Sequence, residues 1–193
     1  MKRRTLDIIL SVMGLVVAVT VGIAGGLLLW GHNYVTSQVR DQLVAQKIVF
    51  PAANSQAVSA PEFAPMRQYG GQTMSTGDQA RVYANYFIAN HLKEIGGGQT
   101  YSQLSAQAQA DPTNTQLANQ VNLMFRGETL RGLLLNAYAF GTMGKLMGYA
   151  AIVAFVAGAV LLVLSILGLV HASRTPREVK VGQAEPTSEP ATV

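Results

Sequence analysis

The stretch IILSVMGLVVAVTVGIAGGLLLW, residues 8–30, contains no charged side chain. As an α-helix it extends about 35 Å, which exceeds the hydrocarbon core of a bilayer, about 30 Å thick. A second uncharged stretch, LMGYAAIVAFVAGAVLLVLSILGLV, occupies residues 146–170. A core helix of a small soluble domain rarely runs so long without a polar stripe. The sequence therefore predicts two transmembrane helices.

The overall composition agrees with this prediction. Of the 193 residues, 49% are hydrophobic and only 12% are charged, whereas a soluble domain usually carries about 25% charged residues. The chain contains no cysteine, which excludes disulfides, thiolate metal sites, cysteine nucleophiles and an acylated lipoprotein cysteine. The net charge is +4, but the charges between the two stretches are scattered, so we predict no nucleic-acid partner.

The N-terminus has features of a secretory signal, because Met1-Lys2-Arg3-Arg4 precedes the apolar run. That run is longer than the apolar core of a signal peptide, about 7 to 15 residues, and no Ala-x-Ala site closes it. We interpret it as an uncleaved anchor, with cleavage near Gly26 as the alternative.

Basic residues bracket the two spans and predict their orientation. Lys2, Arg3 and Arg4 precede the first span, and Arg174, Arg177 and Lys180 follow the second. Because such residues stay on the cytoplasmic side, we predict a plasma-membrane protein with both termini in the cytoplasm. The lipid bilayer is then its first partner. The predicted segments are a cytoplasmic N-terminus (1–7), transmembrane helix 1 (8–30), an extracytoplasmic domain (31–145), transmembrane helix 2 (146–170) and a disordered cytoplasmic tail (171–193).

Small residues recur at every fourth position in both predicted spans, and such rows let helix backbones approach closely in lipid. We favour packing of the two spans on each other, with homodimerisation as the alternative. The candidate packing residues are Gly14, Ala18, Gly22 and Gly26 in the first span and Ala150, Ala154 and Gly158 in the second.

The segment between the spans predicts a helical domain. The first helix continues to about Lys47, an extended run covers residues 47–51, and an Ala-, Ser- and Pro-rich loop covers residues 52–69. Thr76–Gln79 and Thr100–Gln103 have the spacing of capping boxes that open helices. The first of these helices ends before the glycines at 96–98, and the second ends near Ala110. The fold class is therefore a mainly α membrane protein, with a helical extracytoplasmic domain inserted between two transmembrane helices.

A final helix is predicted to restart at Asp111-Pro112, with Asp as its cap and Pro at its first position. The apolar spacing then stays helical up to the second span, so this helix is predicted to run nearly unbroken into the membrane. Its glycines at 141, 144 and 148 are candidate bends.

The histidines do not form a shared site. The predicted topology separates His171 from His32 and His91, and His91 with Glu94 lacks the second matched pair that a metal site in a helical bundle would have. We therefore favour a solvated His91 over a metal ligand. No Gly-x-Ser-x-Gly motif marks a nucleophile, and we predict no catalytic residue, metal or cofactor.

The densest polar cluster beside apolar sequence is residues 125–131, FRGETLR. Glu128 and Arg131 are three residues apart and are predicted to pair on one helical face. The alternative is that Arg126, Glu128 and Arg131 contact a lipid phosphate or a partner carboxylate, which suits the planar donor fork of arginine.

Several segments together carry a resemblance: DQLVAQKI (41–48), GDQA (77–80), HLKE (91–94), GQTY (98–101) and RGETLRG (126–132), between two membrane helices. This order over roughly residues 5–172 is similar to an uncharacterised family of actinobacterial integral membrane proteins. The resemblance implies location and fold more than activity. Some members carry the description aromatic ring-opening dioxygenase, which needs clustered histidine and carboxylate iron ligands. This chain cannot assemble such a cluster across a bilayer.

The expected function is that of a non-enzymatic accessory or scaffolding subunit of the cell envelope, with another membrane or envelope protein as partner. The alternative is an extracytoplasmic module or sensor that binds a small ligand or a lipid. An apolar pocket between the helices would favour the ligand-binding function, and an exposed apolar patch without a cavity would favour a partner surface.

The predicted topology is testable because the chain has no native cysteine. We expect a single cysteine at Ser59, but not one at Ser188, to react with a membrane-impermeant thiol reagent on intact cells, since only residues 31–145 face outward. Labelling at Ser188 without labelling at Ser59 would reverse the orientation.

Overall fold

A computed structural model describes residues 2–176. Within this range the chain is mainly helical and has no β-strand, only an isolated antiparallel bridge between Val49 and Thr73. The chain divides into two compact units. One contains the described residues of Met1–Trp30 and Gly148–Val193, and the other is Gly31–Met147. We call them the membrane unit and the inserted domain.

Five α-helices and three other helical segments make up the described chain. The α-helices are α1 (Arg3–Ala45), α2 (Gly77–Val82), α3 (Ala89–Ile95), α4 (Tyr101–Ala110) and α5 (Thr115–Arg174). A π-helical segment, Tyr83–Ile88, joins α2 to α3, and two 3₁₀ segments cover Gln56–Val58 and Pro61–Tyr69. The helices α1 and α5 each contribute to both units.

Both α1 and α5 are long and apolar enough to cross a membrane. Only 17% of the most apolar window of each helix is buried, whereas the core helix of a soluble protein would be mostly buried. The outward side chains of the membrane unit are large and apolar: Leu27 is 66% exposed and Val153 is 68% exposed. Such a surface suits contact with lipid rather than with water.

Small side chains form the seam between the two helices of the membrane unit, and they recur at every seventh position. The buried members on α1 are Ser11, Ala18 and Gly25, and those on α5 are Ala151, Gly158, Ser165 and Ala172. A seven-residue repeat keeps one face of a helix against its neighbour when two helices wind around each other with a left-handed twist. We call these seven residues the small-residue seam.

The two helix backbones approach each other closely across the seam. A Cβ atom at Gly158 would lie 3.4 Å from the carbonyl oxygen of Ala18 and 3.7 Å from the nitrogen of Gly22. A Cβ atom at Gly14 would overlap Oγ of Ser165, and one at Gly168 would overlap Oγ of Ser11. A side chain larger than alanine at Gly158 would therefore reach the α1 backbone, and any side chain at Gly14 or Gly168 would require the facing serine hydroxyl to move.

The seven candidate packing residues predicted at every fourth position do not all lie between the two helices. Ala18 and Gly158 belong to the seam, while Gly14 faces Ser165 and Ala154 lies against Gly25. The backbone of Gly22 lines the seam, but a Cβ there would meet no atom within 4 Å. Gly26 and Ala150 are exposed and lie outside the seam. The packing period is therefore seven rather than four, because the buried face follows the winding of the helices.

The inserted domain is built around an aromatic core. Phe50 packs edge-on against Tyr83, with ring centroids 5.4 Å apart, and Tyr83 packs on Phe87 at 4.8 Å. Val58, Met66, Met74 and Leu134 close the core and are almost fully buried. Burial raises the pKa of the Tyr83 phenol above its usual value, because apolar surroundings disfavour the charged phenolate.

The prediction of a loop over residues 52–69 is wrong for the second half of that range, which forms a 3₁₀ helix from Pro61 to Tyr69. Phe63 and Met66 lie three residues apart, as a 3₁₀ period requires, and both are buried. Arg67 holds this segment to the preceding turn, because its guanidinium donates hydrogen bonds to the carbonyl oxygens of residues 58–60.

Both predicted capping boxes are confirmed. Thr76 and Gln79 cap each other at the start of α2, and Thr100 and Gln103 do so at the start of α4. The predicted start of the final helix at Asp111-Pro112 is wrong by a few residues. The last helix begins at Thr115, where the Asn114 side chain accepts a hydrogen bond from the Leu117 amide at 3.0 Å.

The long final helix is confirmed, since α5 is one α-helix from Thr115 to Arg174. In the inserted domain its glycines serve close packing: a Cβ at Gly141 would lie 3.3 Å from Cα of Gly77, and one at Gly144 would lie 3.1 Å from Oγ1 of Thr36. The predicted tail begins at His171, which is still helical, and most of that tail lies outside the described residues.

A substitution at Gly158 tests the seam. We expect Gly158→Leu to lower the melting temperature in detergent, because the added side chain would overlap the α1 backbone, and overpacking costs about 1 to 3 kcal/mol. Gly26→Leu is the matched control, since it makes the same change in helix propensity at a position with no atom within 4 Å of the new Cβ. Equal melting temperatures for the two variants would contradict the seam.

Candidate functional site

The inserted domain contains a groove between residues 34–46 and residues 133–140. Its volume is about 490 Å³, which is within the range of small-molecule sites, about 300 to 1,000 Å³. We call it the amide-rimmed groove. Its lining residues are Tyr34, Val35, Gln38, Val39, Gln42, Leu43, Gln46, Leu133, Leu134, Asn136, Ala137 and Phe140.

The more buried lining residues form an apolar floor. Val35, Val39 and Leu43 lie on α1 at four-residue spacing, so they share one face of the helix. Leu43 is 1% exposed, and Leu134 of α5 is 2% exposed. The floor is therefore continuous with the core of the inserted domain.

The more exposed lining residues form two rims of different chemistry. On the α1 side, Gln38, Gln42 and Gln46 follow each other at four-residue spacing, and all three are exposed. On the α5 side, Leu133 is 61% exposed and Phe140 is 55% exposed. The α1 rim thus presents amides, and the α5 rim presents large apolar side chains together with the amide of Asn136.

The groove offers binding chemistry rather than acid–base chemistry. None of its twelve lining residues is a carboxylate, a histidine, a lysine or an arginine. Amide side chains supply hydrogen-bond donors and acceptors together and carry no charge. The arrangement can hold an apolar body while an uncharged polar group bonds to the rim.

A smaller cavity of about 180 Å³ lies beside α3 and α5, and its lining includes Lys93, Glu128 and Arg131. The predicted pairing of Glu128 with Arg131 is confirmed at 3.3 Å. A second guanidinium nitrogen lies 3.5 Å from Oδ1 of Asn85, while Nε of Arg131 is buried with no hydrogen-bond partner among the described residues. Arg126 is exposed and does not line this cavity.

The sequence predicted that the His91 side chain is solvated, but in the structure it packs against aromatic rings. Its ring packs on Phe87 at 4.4 Å and on Phe63 at 5.8 Å, and Nδ1 lies 2.7 Å from the carbonyl oxygen of Phe87. His91 therefore belongs to the edge of the aromatic core. The described residues contain no group of three or more His, Cys, Asp or Glu side chains that would hold a metal ion.

Two contacts join α2 to α5 in the inserted domain. Lys145 forms an ion pair with Asp78, and the Arg81 guanidinium lies 5.2 Å from the centre of the Tyr138 ring. Both keep the start of α2 against α5 and have a structural role.

The sequence alone does not predict the groove, although one of its two walls leaves a recognisable pattern in the sequence. The glutamines at 38, 42 and 46 sit at helical spacing beside the apolar series 35, 39 and 43. What the sequence does not show is which part of α5 lies opposite, because that pairing joins residues about ninety positions apart.

No protein-family model, curated protein or solved structure matches the chain.

The exposed ion pair between Glu128 and Arg131 is testable by charge removal. Their side chains are 44% and 35% exposed, and such surface pairs contribute about 0 to 1 kcal/mol. We expect Glu128→Gln and Arg131→Gln each to lower the free energy of unfolding by no more than about 1 kcal/mol, measured by denaturation in detergent. A much larger loss for Arg131→Gln alone would show that Arg131 contributes through contacts other than this pair.

Proposed function

We propose that the chain is a non-enzymatic integral membrane protein of the cell envelope whose inserted domain binds an apolar ligand in the amide-rimmed groove. The observation that carries this proposal is the groove itself: a cavity of about 490 Å³ with an apolar floor and uncharged rims. Concave apolar sites with a few polar groups are the usual form of ligand-binding sites.

The proposal places residues 31–145 outside the cell and both termini in the cytoplasm. It is supported by the two apolar helices and by the basic residues that flank them in the sequence. The similarity to actinobacterial integral membrane proteins remains part of the proposal and rests on the segments quoted for it above.

A second candidate function is that of an accessory or scaffolding subunit that docks a membrane or envelope protein. It is favoured by large apolar side chains of α5 that lie outside the groove: Leu123 is 51% exposed, Phe125 is 56% exposed and Leu130 is 40% exposed. Exposed apolar residues on a domain can mark a partner surface. The groove favours ligand binding over docking, because a docking surface needs no cavity.

A photoreactive alkane tests the proposed function. The full-length protein in nanodiscs is irradiated with an alkane that carries a diazirine and no headgroup, and crosslinks within residues 31–147 are mapped by mass spectrometry. We expect the crosslinks to concentrate on the groove residues. Leu133→Glu should reduce them about tenfold, because it places a charge at the edge of an apolar site.

Leu123→Glu is the matched control, since it introduces the same charge on α5 at an exposed leucine that does not line the groove. Melting temperatures of both variants report whether the fold is retained. Crosslinks spread evenly over all exposed apolar residues of the inserted domain would contradict a ligand site in the groove.

A further inference from the structure

The amide rim and the uncharged floor together specify a class of ligand. We infer that the groove binds one hydrocarbon chain of a membrane lipid whose headgroup is uncharged and carries a hydroxyl, ester or amide group. This inference rests on the proposed function and adds the chemistry and the source of the ligand.

The elongated shape of the groove suits a hydrocarbon chain. Tyr34 and Gln46 are twelve residues apart, which corresponds to about 18 Å along a helix. A cylinder of that length and of helical diameter, about 10 Å, fills about 1,400 Å³, roughly three times the 490 Å³ of the groove. The groove therefore cannot enclose a whole protein helix, whereas a single extended hydrocarbon chain is narrow enough to follow its length.

The exposed apolar side chains of the rim favour binding of a hydrocarbon chain. Leu133 and Phe140 keep 61% and 55% of their surface uncovered. A hydrocarbon chain lying in the groove would cover both side chains, and removing apolar surface from water is favourable.

The charge of the lining decides the headgroup. A phosphate or carboxylate drawn below the exposed rim of the groove would lose water without gaining a cation beside it, since no lysine or arginine lines the groove. Burying an unpaired charge is strongly unfavourable. Gln38 and Gln42 on one rim and Asn136 on the other instead offer amide donors and acceptors, which match a hydroxyl, an ester or an amide.

The position of the groove in the sequence indicates where the ligand comes from. Tyr34 follows the first uncharged stretch by four residues, and Phe140 precedes the second by six. The lining segments are thus the parts of the inserted domain that directly continue the two membrane-crossing stretches. This short distance along the chain favours a lipid of the bilayer as the ligand.

Three lipid probes with the same diazirine-bearing chain test the inference in the full-length protein, in phosphatidylcholine nanodiscs. They are a headless alkane, a diacylglycerol with a free hydroxyl, and a phosphatidic acid. We expect the diacylglycerol to crosslink to the groove most strongly and the phosphatidic acid about tenfold less, because of its unpaired charge.

Removal of the rim amides provides the second measurement. In the double variant Gln38→Leu/Gln42→Leu we expect crosslinking of the diacylglycerol to fall to the level of the alkane, while crosslinking of the alkane does not fall, because the added leucines extend the apolar surface. Gln116→Leu is the matched control, because Gln116 is exposed on α5 and does not line the groove. Melting temperatures of both variants confirm that the fold is intact.

The outcomes separate this inference from the proposed function. Phosphatidic acid that crosslinks as strongly as diacylglycerol, or diacylglycerol that crosslinks no better than the alkane, would overturn the neutral headgroup while the apolar site stands. Failure of all three probes to label the groove would contradict binding of a lipid chain. Because the alkane is one of these probes, the same result would contradict the proposed function as well.

Discussion

Close contact between two helix backbones is the constraint on which this architecture depends. In lipid, apolar side chains gain nothing by leaving their surroundings, so helices associate through van der Waals packing where small residues allow it. The seam that includes Ala18, Gly158 and Ser165 meets this requirement in the membrane unit. Its large side chains can then remain outward, as Leu27 and Val153 do. The chain thus uses its smallest residues for helix contact and leaves its largest exposed, where they suit contact with lipid.

The inserted domain uses the same two helices for a different purpose. Close approach occurs where a glycine faces a small residue, as Gly144 faces Thr36. Where α5 instead carries Leu133 and Phe140, exposed side chains border a groove opposite the glutamines of α1. Small residues therefore determine where α1 and α5 touch, and larger ones determine where a ligand can lie. Because the groove has amides and no charges, its chemistry favours binding of an uncharged molecule.

Predictions from the sequence succeeded where the interaction is local. The capping boxes at Thr76 and Thr100 and the pair of Glu128 with Arg131 join residues three positions apart, so helical geometry alone brings them together. They failed where burial decides. The 3₁₀ segment Pro61–Tyr69 has a polar composition typical of a loop, yet Phe63 and Met66 anchor it in the core. His91 was expected in solvent and lies against Phe87.

The sequence by itself determined the two long apolar helices, the helical character of the segment between them and the ends of several helices. These features depend on runs of apolar residues and on contacts within one turn of the chain. Only the tertiary structure decided that the seam repeats every seven residues, that Tyr83–Ile88 is π-helical and that α5 supplies one wall of the groove. Each of these depends on which face of a helix meets another distant segment. Periodicity limits that choice, but only the packed side chains settle it, because several faces of an almost uniformly apolar helix look alike in sequence.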